Sequence, residues 1–198
     1  VVAVTDVAYN PPVGRWEPNA QGRLEQAALD LYLEQGFDAT TVAEIAARAG
    51  LTERTFFRHF ADKREVLFRG RELADALEAA IGDAPPATAP LDTVADALES
   101  LSDFFADRRP HARRRQTVIA ANPSLQEREL IKLASLATTI CDALRRRGVA
   151  DPTAGLVAEA GIAVFKVAFE HWLTDPADRS LAEHIRETLA ELRTATQS

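Results

Sequence analysis

The stretch "TTVAEIAARAGLTERTFFRHFADKREVLF" (residues 40–68) decides the fold. Within it, Thr41 followed three residues later by Glu44 is a capping-box pattern that opens a helix. Val42, Ile45, Ala46 and Ala49 give that helix one apolar face, and Gly50 ends it. Thr52 can cap a second short helix, on which Phe56 and Phe60 stand four residues apart and share a face. Arg54, Thr55, Phe57 and Arg58 fall elsewhere on the same helix. Phenylalanines on one side and cations on the other suit neither a buried helix nor an ordinary solvated one. Two short helices across a glycine turn, the second with outward cations, make a helix-turn-helix.

Working outward, a helix over about 22–35 precedes the motif, with Leu24, Ala27, Ala28 and Leu31 at helical spacing and Gly36 suited to a left-handed end. After the motif, Asp62 and Glu65 repeat the capping logic and predict a fourth helix over 62–81. Residues 1–20, with Pro11, Pro12, Gly14 and Pro18, read as a flexible arm. "GDAPPATAP" (82–90) reads as a linker between head and body. Beyond it, helices are expected at about 92–107, 111–121, 124–147, 153–174 and 179–195, with Pro110, Pro123, Pro152 and Pro176 at their boundaries. The fold class is all-α, about nine helices. The expected division is an arm (1–20), a helix-turn-helix head (21–70) and a helical body (71–198).

The 198 residues can bury a real core, and 46% hydrophobic with 27% charged residues is an ordinary globular composition. The net charge of −7 argues against indiscriminate coating of nucleic acid. Its distribution says more. Residues 45–69 hold six Arg/Lys against three Asp/Glu, whereas residues 70–198 hold fifteen against twenty. A small basic patch sits on an acidic body. The lone Cys141 excludes an intrachain disulfide and a cysteine-built zinc site, and it fits a reducing cytoplasm. The opening "VVAVTDVAYN" does not read as a secretory signal, and Glu159 and Lys166 interrupt the most apolar later stretch.

An α-helix fits the major groove, where arginine can donate a bidentate pair to guanine. Threonine hydroxyls and helix N-termini suit phosphates. With these features in place, residues 24–70 resemble the DNA-binding signature of the TetR family of transcriptional regulators, through the first helix, "TVAEIAARAG", "TFFRHF" and "DKREVL". The resemblance implies a homodimer on double-stranded DNA whose paired recognition helices enter successive major grooves. It also implies a C-terminal domain that dimerises and binds an effector. Carried over by position, Thr41 matches a phosphate-contacting helix start, and Lys63 the phosphate-binding start of the fourth helix. Thr52, Arg54, Thr55, Phe57, Arg58 and His59 match groove-facing positions. Two departures stand out. The family commonly has tyrosine where Phe57 stands, so a phenolic bond to phosphate is absent, and it often has a small residue where Arg54 stands.

In the body, Glu159, Lys166 and Glu170 form one narrow polar stripe on the 153–174 helix, and most of the rest is apolar. So wide an apolar surface predicts covering on two sides, one by the body and one by a partner subunit. Ala158 and Gly161 would allow close approach, and the last helix, with Leu181, Ile185, Leu189 and Leu192, would complete a dimer interface over 153–195. Phe104, Phe105, Ile119, Ile140, Phe165 and Phe169 are candidate walls for a small, mostly apolar effector. His111, Gln116, Asn122, Cys141 and His171 are candidate polar contacts. The arginine runs at 113–115 and 145–147 read as solvated. No metal-ligand spacing, phosphate loop or nucleophile motif points to an enzyme, and no motif calls for a cofactor. The alternative readings are an effector-binding or interaction protein without operator recognition, and after it an enzyme of unknown class.

Overall fold

Side-chain caps set the first three helix starts, at Thr41 and Thr52 as expected and at Asn19, which was not foreseen. The Asn19 side chain accepts from the Gly22 amide at 2.9 Å and opens α1 (Ala20–Gln35). Thr41 Oγ1 accepts from the Glu44 amide at 3.2 Å, while Glu44 Oε2 accepts from the Thr41 amide at 2.8 Å, a reciprocal cap on α2 (Val42–Arg48). Thr52 Oγ1 accepts from the Thr55 amide at 3.2 Å and opens α3 (Glu53–His59). These contacts belong to a computed structural model that describes residues 19–68, 71–105 and 108–197. Nearly all of the expected N-terminal arm lies outside those residues. The chain continues through a 3₁₀ turn (Glu65–Leu67), α4 (Glu72–Asp83), α5 (Pro90–Ser100), α6 (Ser102–Phe105), α7 (Arg109–Ala120), α8 (Pro123–Arg146), α9 (Thr153–Thr174) and α10 (Leu181–Thr196). The fold is all-α, with no strand among the described residues.

The fourth helix differs from its expected course. Asp62 Oδ1 accepts from the Arg64 and Glu65 amides, yet the chain then enters the 3₁₀ turn and an extended Phe68, with α4 starting only at Glu72. The cause is burial. Val66, Leu67 and Phe68 all enter the head core, and three successive side chains of an α-helix spread over too wide an arc to share one core. The helix expected at 92–107 also divides, α5 ending at Ser100 with Leu101 as its cap and α6 succeeding it as a single turn.

Two cores result. α1, α2, α3 and residues 66–68 enclose the head core, which also takes in Val118 and Ile119 from α7 and Leu125 from α8. Ile119, expected as an effector wall, is therefore a head-core residue. The body core is built from α4, α5, α8, α9 and α10 around such residues as Leu77, Ile81, Val94, Leu98, Ile140, Leu144, Ala158 and Ile185. Residues 82–90 thus join two body helices and do not separate head from body. They are held, too: Arg147 donates to the carbonyls of Ile81 (3.1 Å), Ala84 (2.7 Å) and Pro85 (2.8 Å).

In the arginine runs Arg113, Arg145 and Arg146 are exposed as expected, yet the runs also tie elements together. Arg113 donates to the Leu173 carbonyl, and Arg114 pairs with Asp30 on α1. Arg115 reaches the Leu67 carbonyl (2.7 Å) and Glu129 (3.0 Å). Arg145 pairs with Asp142 and Asp151, and Arg146 with Glu78. Gly161 and Ala158 also face inward. A Cβ on Gly161 would come within 2.5 Å of Val94 Cγ1, so this glycine lets α9 close on α5 of its own subunit. Leu181, Ile185 and Leu189 of α10 are buried in the same core. No helix among the described residues is long and apolar enough to cross a membrane.

Candidate nucleic-acid interface

The turn between α2 and α3 needs Gly50, whose φ of +66° is left-handed. The Leu51 amide donates back to Ala46 (2.8 Å), and the Arg23 guanidinium donates to the Ala49 carbonyl at the end of α2. Behind α3, Phe56 is 0% exposed and packs on Phe60 at 5.5 Å between ring centroids, fixing the helix against the head. The outer face carries what the sequence placed there. Thr52, Arg54, Arg58 and His59 are exposed, Thr55 is half-buried, and Phe57 is 56% exposed with its ring edge-on to Phe56. Arg54 and Arg58 have no ion-pair partner among the described residues.

Two carried-over phosphate positions are already engaged. Thr41 is exposed, but its amide and hydroxyl both donate to Glu44, which holds that carboxyl below its ordinary range and puts a negative charge at the start of α2. The Lys63 ammonium donates to the carbonyls of Phe37 (2.8 Å), Asp38 (3.3 Å) and Thr40 (2.8 Å) and sits 4.4 Å from the centre of the Phe37 ring. All three of its donors are committed inside the head. The Lys63 carbonyl accepts from the Tyr32 phenol at 2.6 Å, and burial raises that phenol's pKa.

Below the head lies a cavity of about 480 Å³. Phe104, Phe105, Phe165 and Phe169 line it, with Phe105 and Phe169 edge-to-face at 5.6 Å. His111 and Gln116 line it as well. Five candidates do not, among them Ile119 of the head core and Ile140 of the body core. Cys141 is buried in the body core, His171 lies on the solvent face of α9, and the Asn122 amide donates to the Val118 carbonyl (2.7 Å) at the corner between α7 and α8. Unforeseen were Glu25, Val66, Leu67 and Phe68 on the head side, Lys166 and Glu170 of the polar stripe on α9, and Arg108 and Arg115. The missed signal was spacing: 108, 111, 112, 115 and 116 make one face of α7. Among the described residues, no group of three or more His, Cys, Asp or Glu could hold a metal ion.

A helix-turn-helix head over an all-α body with an internal cavity is the build of a ligand-sensing DNA-binding regulator. The chain belongs to the tetR family of bacterial regulatory proteins, whose description matches residues 25–69, and the MftR C-terminal domain matches residues 88–197. It is a transcriptional regulator. Over 168 residues it is 27% identical to a Mycobacterium tuberculosis protein described as the mycofactocin biosynthesis regulator MftR, covering 82% of this chain and 84% of that one. A TetR-family regulator from Syntrophomonas wolfei shares the fold at a TM-score of 0.64 and 16% identity, covering 91% of this chain and 96% of the other. Thermus thermophilus FadR, crystallised in complex with lauroyl-CoA, does so at 0.50 and 22%, covering 86% and 91%.

Proposed function

We propose that this regulator binds a palindromic operator as a homodimer through α3, and that a small, mostly apolar molecule in the cavity releases it. One observation carries the reading: the cavity wall includes Val66, Leu67 and Phe68, the segment that comes after the recognition helix and seats it in the head core. Whatever fills the cavity pushes on, or braces, the support of α3. The FadR complex is a precedent for a ligand-bound form of this fold. For the dimer, the support is an outward apolar stripe on α9, Leu156 (67% exposed), Ala160, Ala163 and Val167 (40%), which no described element covers. Paired heads would each read one half-site.

An effector that prefers the released arrangement by about 1–3 kcal/mol would weaken operator binding roughly 5- to 150-fold. The test is selection of bound sequences from random duplex DNA, then fluorescence anisotropy with and without effector. Enrichment of an inverted repeat is expected, with operator weakening effector binding by the same factor as effector weakens operator binding. Absence of any enriched sequence would remove operator recognition and leave an effector-binding protein.

A further inference from the structure

The cavity is two-sided in chemistry. One side is aromatic, with Phe105 in contact with Phe165 (6.5 Å) and Phe169 (5.6 Å). The other is the polar face of α7. At its upper end the Arg108 guanidinium lies 4.4 Å from the centre of the Phe104 ring, and its Nη1 is buried with no hydrogen-bond partner among the described residues. The other cations deeper in the wall are committed, Arg115 to Glu129 and Leu67, and Lys132 to Glu65. Of the carboxylates, Glu129 is held by Arg115, Glu25 accepts from Gln21 (3.0 Å), and Glu170 sits exposed with Lys166 at the rim. The neighbouring Arg109 also has an orphaned Nε, but its guanidinium already pairs with Asp178 at 2.5 Å, away from the cavity. A buried guanidinium nitrogen without an acceptor is unfavourable, and a carboxylate is the group whose two oxygens match it.

Resting on the effector reading above, we infer that the ligand is a monocarboxylic acid with an apolar body, its carboxylate held by Arg108 and its body by the phenylalanine cluster. Arg108 is the specificity residue. Among the described residues the buried Arg108 Nη1 lacks an acceptor, which one carboxylate supplies, and stacking on Phe104 holds the guanidinium plane in place.

The test is calorimetric titration of the full chain with matched probes: decanoic acid, decan-1-ol and decylamine, then 4-phenylbutanoic acid beside 4-phenylbutan-1-ol. Trp172, which contacts Phe105 and Phe169, supplies a fluorescence readout. Acids should bind roughly 10- to 100-fold more tightly than the alcohols, and the amine most weakly. In Arg108→Gln, acid and alcohol should converge, and Arg108→Lys should restore part of the preference. Equal affinity of acid and alcohol in the wild type, no binding of any probe, or a preference that survives Arg108→Gln would each overturn the inference. Repeating the titrations with the selected operator separates the two readings. An acid that binds through Arg108 without changing operator affinity keeps this inference and defeats the release mechanism; alcohols that release operator as well as acids do the reverse.

Discussion

At the scale of single residues, position on α3 and commitment elsewhere divide the candidate contacts. Arg54 and Arg58 are exposed and unpaired among the described residues, so Arg58→Ala should leave the thermal midpoint almost unchanged. It should nevertheless cost about 1–3 kcal/mol of operator affinity and relax preference at one base pair, read by anisotropy on single-base variants. Lys63 behaves oppositely. Its ammonium holds three carbonyls of the loop between α1 and α2, and a charged hydrogen bond contributes about 1.5–3 kcal/mol. Lys63→Ala should therefore lower the unfolding midpoint in urea and leave the slope of affinity against salt nearly as it was, where a phosphate contact would reduce that slope. The outward face of α3 was legible because caps and aromatic spacing are local. The engagement of Lys63 was not, since its partners lie more than twenty residues away.

At the scale of helices, periodicity told which α9 residues are apolar but not what covers each of them. Gly161 looked like a subunit-contact glycine and is instead the point where α9 touches α5. Gly161→Ala should overpack that contact and destabilise the fold by about 1–3 kcal/mol in chemical denaturation. Val167→Glu, on the outward stripe, should leave the fold intact and shift sedimentation from dimer to monomer. A similar separation of local and distant causes holds at the α9–α10 corner. There the Ala177 amide, acting against burial and helped by Arg179 and His184, brings the Asp175 carboxyl down to about 2. A carboxyl whose folded pKa lies below its ordinary value near ~3.9 stabilises the fold above that value, and the contribution drains away as pH falls toward 2. The gap in thermal midpoint between wild type and Asp175→Asn should thus be widest above about pH 4 and close as pH approaches 2. The break after Asp62 escaped the sequence for a related reason: "DKREVLF" satisfies every local helix rule, and only the head core demands that Val66, Leu67 and Phe68 turn inward together.

At the scale of the molecule, head and body are joined by three consecutive arginines on α7, each with a different destination: the end of α9, α1, and the turn below α3. Arg114 does not line the cavity, yet it reaches Asp30 in the head. Arg114→Gln should accordingly leave effector affinity in the absence of DNA unchanged, while the factor by which effector weakens operator binding falls toward one. The aromatic half of the cavity was visible in the chain, because Phe104, Phe105, Phe165 and Phe169 announce themselves. The polar half was hidden in arginines that resemble solvated surface until α7 is set against the head. The same arrangement bears on any attempt to build hybrid sensors. A head excised at about residue 70 and grafted onto a foreign body would leave behind Val118, Ile119 and Leu125, which complete its interior. An exchange that transplants the α7–α8 corner together with the first seventy residues should give functional chimaeras where a cut at the apparent boundary gives insoluble ones.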